Sequence, residues 1–84
     1  MKKLTVVTNK NCHNCNLLKE FLTFYQIPFD NVDSTSPLGR NLLMQHNLKV
    51  VPQIFVDQSL FVVGGYRTVK TMRKQEILDR IAQF

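Results

Sequence analysis

Leu4-Thr5-Val6-Val7-Thr8-Asn9-Lys10-Asn11-Cys12-His13-Asn14-Cys15 is the stretch from which the rest of the chain is read. It runs from a β-branched segment through a polar loop into the only two cysteines of the sequence, three positions apart. Leu4–Thr8 has no helical period and reads as a buried strand. From Cys15 onward the pattern turns helical: Leu17, Leu18, Phe21, Leu22 and Tyr25 form one apolar stripe. The helix is expected to stop before Ile27-Pro28, because proline disfavours helix at the preceding residue. The pair therefore falls where a strand hands over to a helix.

Two thiols at this spacing can close a disulfide or share a metal. A bond between them closes too small a loop to stabilise the fold much. Structural zinc wants four ligands. There is no second cysteine pair here, and beyond His13 the only other histidine is His46. No metal site is expected within one chain; a binding module whose cysteine pair holds a shared iron–sulfur cluster or a metal is the non-enzymatic alternative. A C-x-x-C beside a β-α-β pattern points to redox work. With Cys12 at the helix start, unpaired N–H groups face its sulfur and favour the thiolate. Lys10 and His13 lie close enough in sequence to add positive charge. Cys12 is read as the nucleophile and Cys15, one turn further in, as the resolving thiol.

The remaining elements follow in order. Phe29–Asp33 reads as a second strand. Ser36 and Pro37 open a second helix as N-cap and first residue; Leu38, Leu42, Leu43 and Met44 are assigned to its buried side, and it ends near His46-Asn47. His46 reads as a helix-end residue. Val50–Val56 is the third strand, Asp57-Gln58-Ser59 a turn, and Leu60–Val63 the fourth strand of a hairpin. A last helix is expected from about Thr68, with Val69, Met72, Ile77, Ile81 and Phe84 on or near its inner face. The order is β-α-β-α-β-β-α: an α/β fold with a four-stranded mixed sheet flanked by three helices, in one domain spanning 1–84.

Bulk properties exclude several roles. The chain has 84 residues, 44% of them hydrophobic, enough for one small core. No stretch reaches the roughly 18 apolar residues of a membrane span. Leu4–Thr8 is too short and polar for the apolar segment of a signal peptide. The expected setting is the cytoplasm, where thiols stay reduced and a disulfide is usually transient. Eleven Lys and Arg against six Asp and Glu give +5. The charges are scattered rather than gathered into a nucleic-acid patch, and the densest cluster, Arg67, Lys70, Arg73 and Lys74, reads as a solvated helix face or, second, as steering toward an acidic protein partner. No nucleic-acid or membrane partner is expected, and the chain is expected to be a monomer.

Three further features have two readings each. Pro52 is either a proline tolerated at a strand start or part of a cis bond, with the Val51 backbone facing the disulfide and pairing with an extended substrate. Gly64-Gly65 is either a turn or a place where a substrate backbone comes close. Tyr66 and Arg67 are either surface residues or part of the site. Asp30 and Asp33 read as strand-edge and turn residues, unless one reaches beneath Cys15.

The combination of Cys12-His13-Asn14-Cys15, Val50-Val51-Pro52-Gln53-Ile54-Phe55-Val56 and Val63-Gly64-Gly65, in this order, resembles the glutaredoxins of the thioredoxin-fold superfamily along nearly the whole chain. The resemblance implies a thioredoxin-like fold, a cis Pro52, and a groove for glutathione or a protein disulfide bordered by Val51, Pro52, Gly64 and Gly65. It also implies thiol-disulfide oxidoreductase activity, with glutathione as co-substrate and no tightly bound cofactor.

The chain departs from that pattern in three places. His13-Asn14 stands for the usual Pro-Tyr. Valine stands for threonine before Pro52. Tyr66-Arg67-Thr68 replaces the polar residue and aspartate that meet glutathione's α-amino group. The last run is similar to the NrdH-type redoxins. Those are reduced by thioredoxin reductase and donate electrons to ribonucleotide reductase. Tyr66, Arg67 and Thr68 are thus the substrate-side residues that separate a general glutathione-dependent glutaredoxin from such a redoxin.

Overall fold

The computed structural model describes residues 2–84. β1 (Leu4–Thr8), α1 (His13–Phe24) and β2 (Phe29–Asp33) form the first β-α-β unit. α2 (Pro37–Gln45), β3 (Gln53–Val56), β4 (Ser59–Leu60), α3 (Tyr66–Val69) and α4 (Lys74–Ala82) follow. The sheet runs β2-β1-β3-β4. β1 is parallel to β2 and antiparallel to β3, and β4 closes the hairpin. This is the four-stranded mixed sheet expected from the sequence.

Alternation in β1 and β3 divides the helices between the two faces. Val6 pairs with Ile54 and Leu4 with Val56. These four meet Leu18 and Leu22 of α1, Val69 of α3, and Ile77 and Ile81 of α4. Val7 and Phe55 point the other way and meet Leu42 of α2. Each of these buried aliphatic side chains contributes roughly 1.5–3 kcal/mol relative to exposure.

The end of α1 follows the sequence signals. Ile27 N–H donates to the Leu22 carbonyl at 2.9 Å, and Gln26 takes a left-handed φ of 57° in the turn before Pro28. Tyr25, read as part of the inner stripe, lies beyond the last helical residue and is half-exposed. At α2, the Ser36 hydroxyl accepts from the Gly39 N–H at 3.1 Å, with Pro37 as the first helical residue. The inner face of α2 is narrower than the sequence reading. Gly39 and Leu42 are buried, whereas Leu38 and Met44 are 49% and 77% exposed. The helix sits so close to β2 that a Cβ on Gly39 would lie 2.1 Å from the Asp33 carbonyl oxygen.

Three other boundaries differ from the sequence reading. β3 begins at Gln53 rather than Val50, because pairing with β1 ends at Val7 opposite Gln53 and Pro52 has no N–H to extend it. β4 ends at Leu60, although the Phe61 N–H still donates to the Ile54 carbonyl at 2.9 Å; Phe61 and Val62 are buried, Phe61 beside Phe84. The single final helix is two. Met72 N–H bonds back only three residues, to Val69, and Arg73 is extended (φ −79°, ψ 155°). The Glu76 carboxylate then accepts the Arg73 N–H at 3.1 Å and starts α4. Both halves keep their apolar residues inward, so the hydrophobic pattern alone did not reveal the break.

Candidate active site

Cys12 is the N-cap of α1, with extended dihedrals of φ −108° and ψ 109°. Its carbonyl accepts from Asn16 N–H at 3.2 Å, and its sulfur accepts from Cys15 N–H at 3.1 Å. Asn11, just upstream, takes a left-handed φ of 57°, a conformation asparagine tolerates better than most residues. Cys12 and Cys15 are joined as a disulfide, with Cα atoms 5.2 Å apart. Cys15 has no solvent exposure, while Cys12 is half-buried. An incoming disulfide can therefore reach the sulfur of Cys12 and not that of Cys15. In the reduced pair, N–H groups at the helix start favour negative charge on the exposed sulfur.

Beside the pair lies a groove of about 240 Å³. Val50, Val51, Pro52 and Gln53 contribute from the entry to β3. Gly64, Tyr66 and Arg67 contribute from the start of α3, and Asn14 from the cysteine loop. The Val51–Pro52 bond is cis, as the resemblance implies. Neither backbone polar group of Val51 has a partner among the described residues, which leaves an N–H and a C=O free for an extended chain.

The glycine pair is required sterically. Gly65 has a φ of 56°, and a Cβ there would lie 2.3 Å from the Pro52 carbonyl oxygen. Gly64 has a φ of 98°, and its Cβ would lie 2.5 Å from the Thr68 hydroxyl. Gly65 and Thr68 thus support the groove from behind: Gly65 lets α3 touch Pro52, and the Thr68 hydroxyl donates to the Val63 carbonyl.

The outlying residues sort differently. His13 and Lys10 are exposed and do not line the groove. The charge of Lys10 is felt by Asp33. The Asp33 carboxyl is held below its ordinary value of 3.8, first by the Thr35 hydroxyl and then by the Thr35 N–H, with a smaller contribution from Lys10. Asp30 pairs with Lys3 at 3.3 Å. Both carboxylates considered as neighbours of Cys15 are therefore engaged elsewhere. His46 at the end of α2 bonds the Gln58 carbonyl at 2.9 Å and lies against Phe55, a role in the fold. Among the described residues, no three His, Cys, Asp or Glu side chains gather as a metal site.

Sequence reasoning missed two features. Gln53 is 4% exposed; its amide NH₂ donates to the Val50 carbonyl at 3.0 Å, while its side-chain oxygen has no partner among the described residues. The glutamine after the proline was read only as a strand residue, yet it ties down the loop carrying Val51. Val50 and Val63, read as the first residue of the third strand and the last of the fourth, are 68% and 81% exposed. Val50 lines the groove and Val63 immediately precedes Gly64.

No family model and no curated protein matches the sequence. Solved structures do. The thioredoxin-like protein BC3987 superposes with a TM-score of 0.67 at 26% identity, over 89% of this chain and 99% of that one. The holo form of glutaredoxin C1 from Populus tremula x tremuloides gives 0.70 at 24% identity, over 95% of this chain and 82% of that one. Glutaredoxin 1 from Francisella tularensis, complexed with cacodylate, gives 0.68 at 24%, over 94% and 99%. A C-x-x-C pair at the first helix of such a fold defines the class of thiol-disulfide oxidoreductases. The chain shares its fold with these thioredoxin-like proteins and glutaredoxins.

Proposed function

We propose that this chain is a cytoplasmic dithiol oxidoreductase of the glutaredoxin group that reduces disulfides in other proteins. The observation carrying this is the asymmetry of the pair: an accessible N-cap sulfur over a fully buried one, beside a groove whose Val51 backbone has no partner. Cys12 as thiolate attacks a substrate disulfide. A mixed disulfide forms and one substrate sulfur leaves as thiolate. Cys15, once deprotonated, attacks the Cys12 sulfur, the internal disulfide closes, and the second substrate sulfur leaves. Two electrons and two protons pass from the pair to the substrate.

The groove residues have separate parts in this reading. Val51 aligns the substrate backbone, Pro52 and Gly65 hold the wall, and Val50 and Val63 give a partner protein apolar surface. Tyr66-Arg67-Thr68 carries no acid for glutathione's α-amino group. That favours thioredoxin reductase as electron source and ribonucleotide reductase as acceptor, as in the redoxins with a similar run. The experiment is to oxidise the protein and offer two systems side by side: NADPH with thioredoxin reductase, and glutathione with NADPH and glutathione reductase. Direct reduction by the first at a rate at least about tenfold above the second supports this assignment. The opposite order makes the protein a glutathione-dependent glutaredoxin, and no reduction by either removes the oxidoreductase reading.

A further inference from the structure

Arg67 is the one charged side chain among the groove's lining residues, and it is exposed. No ion pair within 4 Å engages it among the described residues, and its guanidinium makes no side-chain hydrogen bond there. The carboxylates that could neutralise it are used elsewhere. Asp57 pairs with Lys2 and Asp30 with Lys3. Asp33 holds Thr35, Asp79 holds Gln75, and Glu76 caps α4. The sixth, Glu20, is exposed on α1. A second cation lies behind the same wall, with the Lys70 ammonium 5.7 Å from the centre of the Tyr66 ring. The groove therefore combines an unpaired backbone edge at Val51, an apolar rim at Val50, and an unneutralised guanidinium at its far side.

We propose that the groove selects an extended segment of a protein partner in which glutamate or aspartate side chains flank the disulfide cysteine, one of them meeting Arg67. The proposal deepens the oxidoreductase reading and rests on it. The Val51 N–H and C=O bind the segment's backbone irrespective of sequence; Arg67 adds the charge preference. A guanidinium offers a carboxylate two parallel N–H bonds, so the match is one of geometry as well as sign. A lysine in the same place on the partner would face Arg67 across the groove and be repelled.

The test uses the reduced full chain and two peptide disulfides. Each is a symmetric dimer of an N-acetylated, C-amidated peptide with one cysteine, flanked by glutamates in one case and lysines in the other. The amide removes the terminal carboxylate, so only side chains are compared. One turnover converts the protein dithiol to its disulfide and the dimer to two peptide thiols, counted by chromatography. Rates are divided by those with dithiothreitol to remove the peptides' own reactivity. The expected result is a glutamate preference of about tenfold at low salt that shrinks as salt shortens the Debye length, and reversal in Arg67→Glu. Equal normalised rates overturn the proposal. A preference that survives Arg67→Glu also overturns it, by assigning the effect to the net charge of +5. A small neutral disulfide, 2-hydroxyethyl disulfide, is run in parallel with the native protein. If it too is not reduced, the failure lies in the oxidoreductase reading itself.

Discussion

The backbone N–H of Cys15 points at the sulfur of Cys12 across 3.1 Å, while the side chain of Cys15 is closed off from solvent. In the proposed mechanism, one residue thus supplies both a donor to the Cys12 sulfur and the thiol that would later displace the substrate. The single turn of helix between them sets one sulfur outside and the other inside. The proposed order follows: attack from outside at Cys12, resolution from beneath by Cys15.

The wall that faces the pair depends on Gly65. With a φ of 56° and a virtual Cβ 2.3 Å from the Pro52 carbonyl oxygen, any side chain must both strain the backbone and push α3 away. Gly65→Ala is expected to cost about 1–3 kcal/mol of stability from the backbone alone. It is also expected to lower kcat/KM for a protein disulfide by roughly tenfold or more, because the displaced wall misplaces the substrate. Urea titration and steady-state kinetics on the same variant separate the two effects.

Gly39 offers a contest of two opposing terms. Alanine gains about 1 kcal/mol over glycine in a helix interior, and less in the first turn, where Gly39 lies. Here the added methyl would sit 2.1 Å from the Asp33 carbonyl oxygen, and such overpacking costs about 1–3 kcal/mol. Because the clash is with backbone, which cannot rotate aside, Gly39→Ala is expected to be destabilising on balance. A urea midpoint below that of the native protein at unchanged slope is the measurement.

Asp33 gives the acid limb of the stability curve a definite sign. Its folded carboxyl is held below the ordinary value of 3.8, chiefly by the Thr35 hydroxyl and then by the Thr35 N–H. Its contribution is therefore present in full above the unfolded value and is lost as pH falls through the folded one. Asp33→Asn should lose less stability than the native chain between about pH 5 and pH 2, a window set by the unfolded carboxyl range. Thr35→Ala should raise the Asp33 titration midpoint in carboxyl NMR. An unmoved midpoint would remove Thr35 as the cause.

Much of this architecture was legible in the chain. Leu4–Thr8 before a C-x-x-C, a stripe from Leu17 to Leu22, and Ser36-Pro37 each carry a local physical signal, and each element forms where that signal lies. The features that escaped are tertiary. Arg73 is not a usual cap, so the start of α4 depends on Glu76 reaching back to its N–H. Leu38 and Met44 are apolar yet exposed, because Gly39 draws the helix onto β2 along a narrower face. Gln53 looks like any polar strand residue until its amide is seen to hold the Val50 carbonyl. At the site, the sequence named both cysteines and most of the groove, but not that Gly65 and Thr68 act from behind it or that Lys10 acts on Asp33.

The division of labour between the two sulfurs is tested most directly by replacing each in turn and offering a protein disulfide. In Cys15→Ser, Cys12 should attack and remain joined to the substrate, giving a stable one-to-one mixed disulfide that peptide mapping places at Cys12. In Cys12→Ser, the buried Cys15 should form no adduct and reduce nothing. An adduct at Cys15 in the Cys12→Ser protein, with none at Cys12 in the Cys15→Ser protein, would contradict the assignment of nucleophile and resolving thiol.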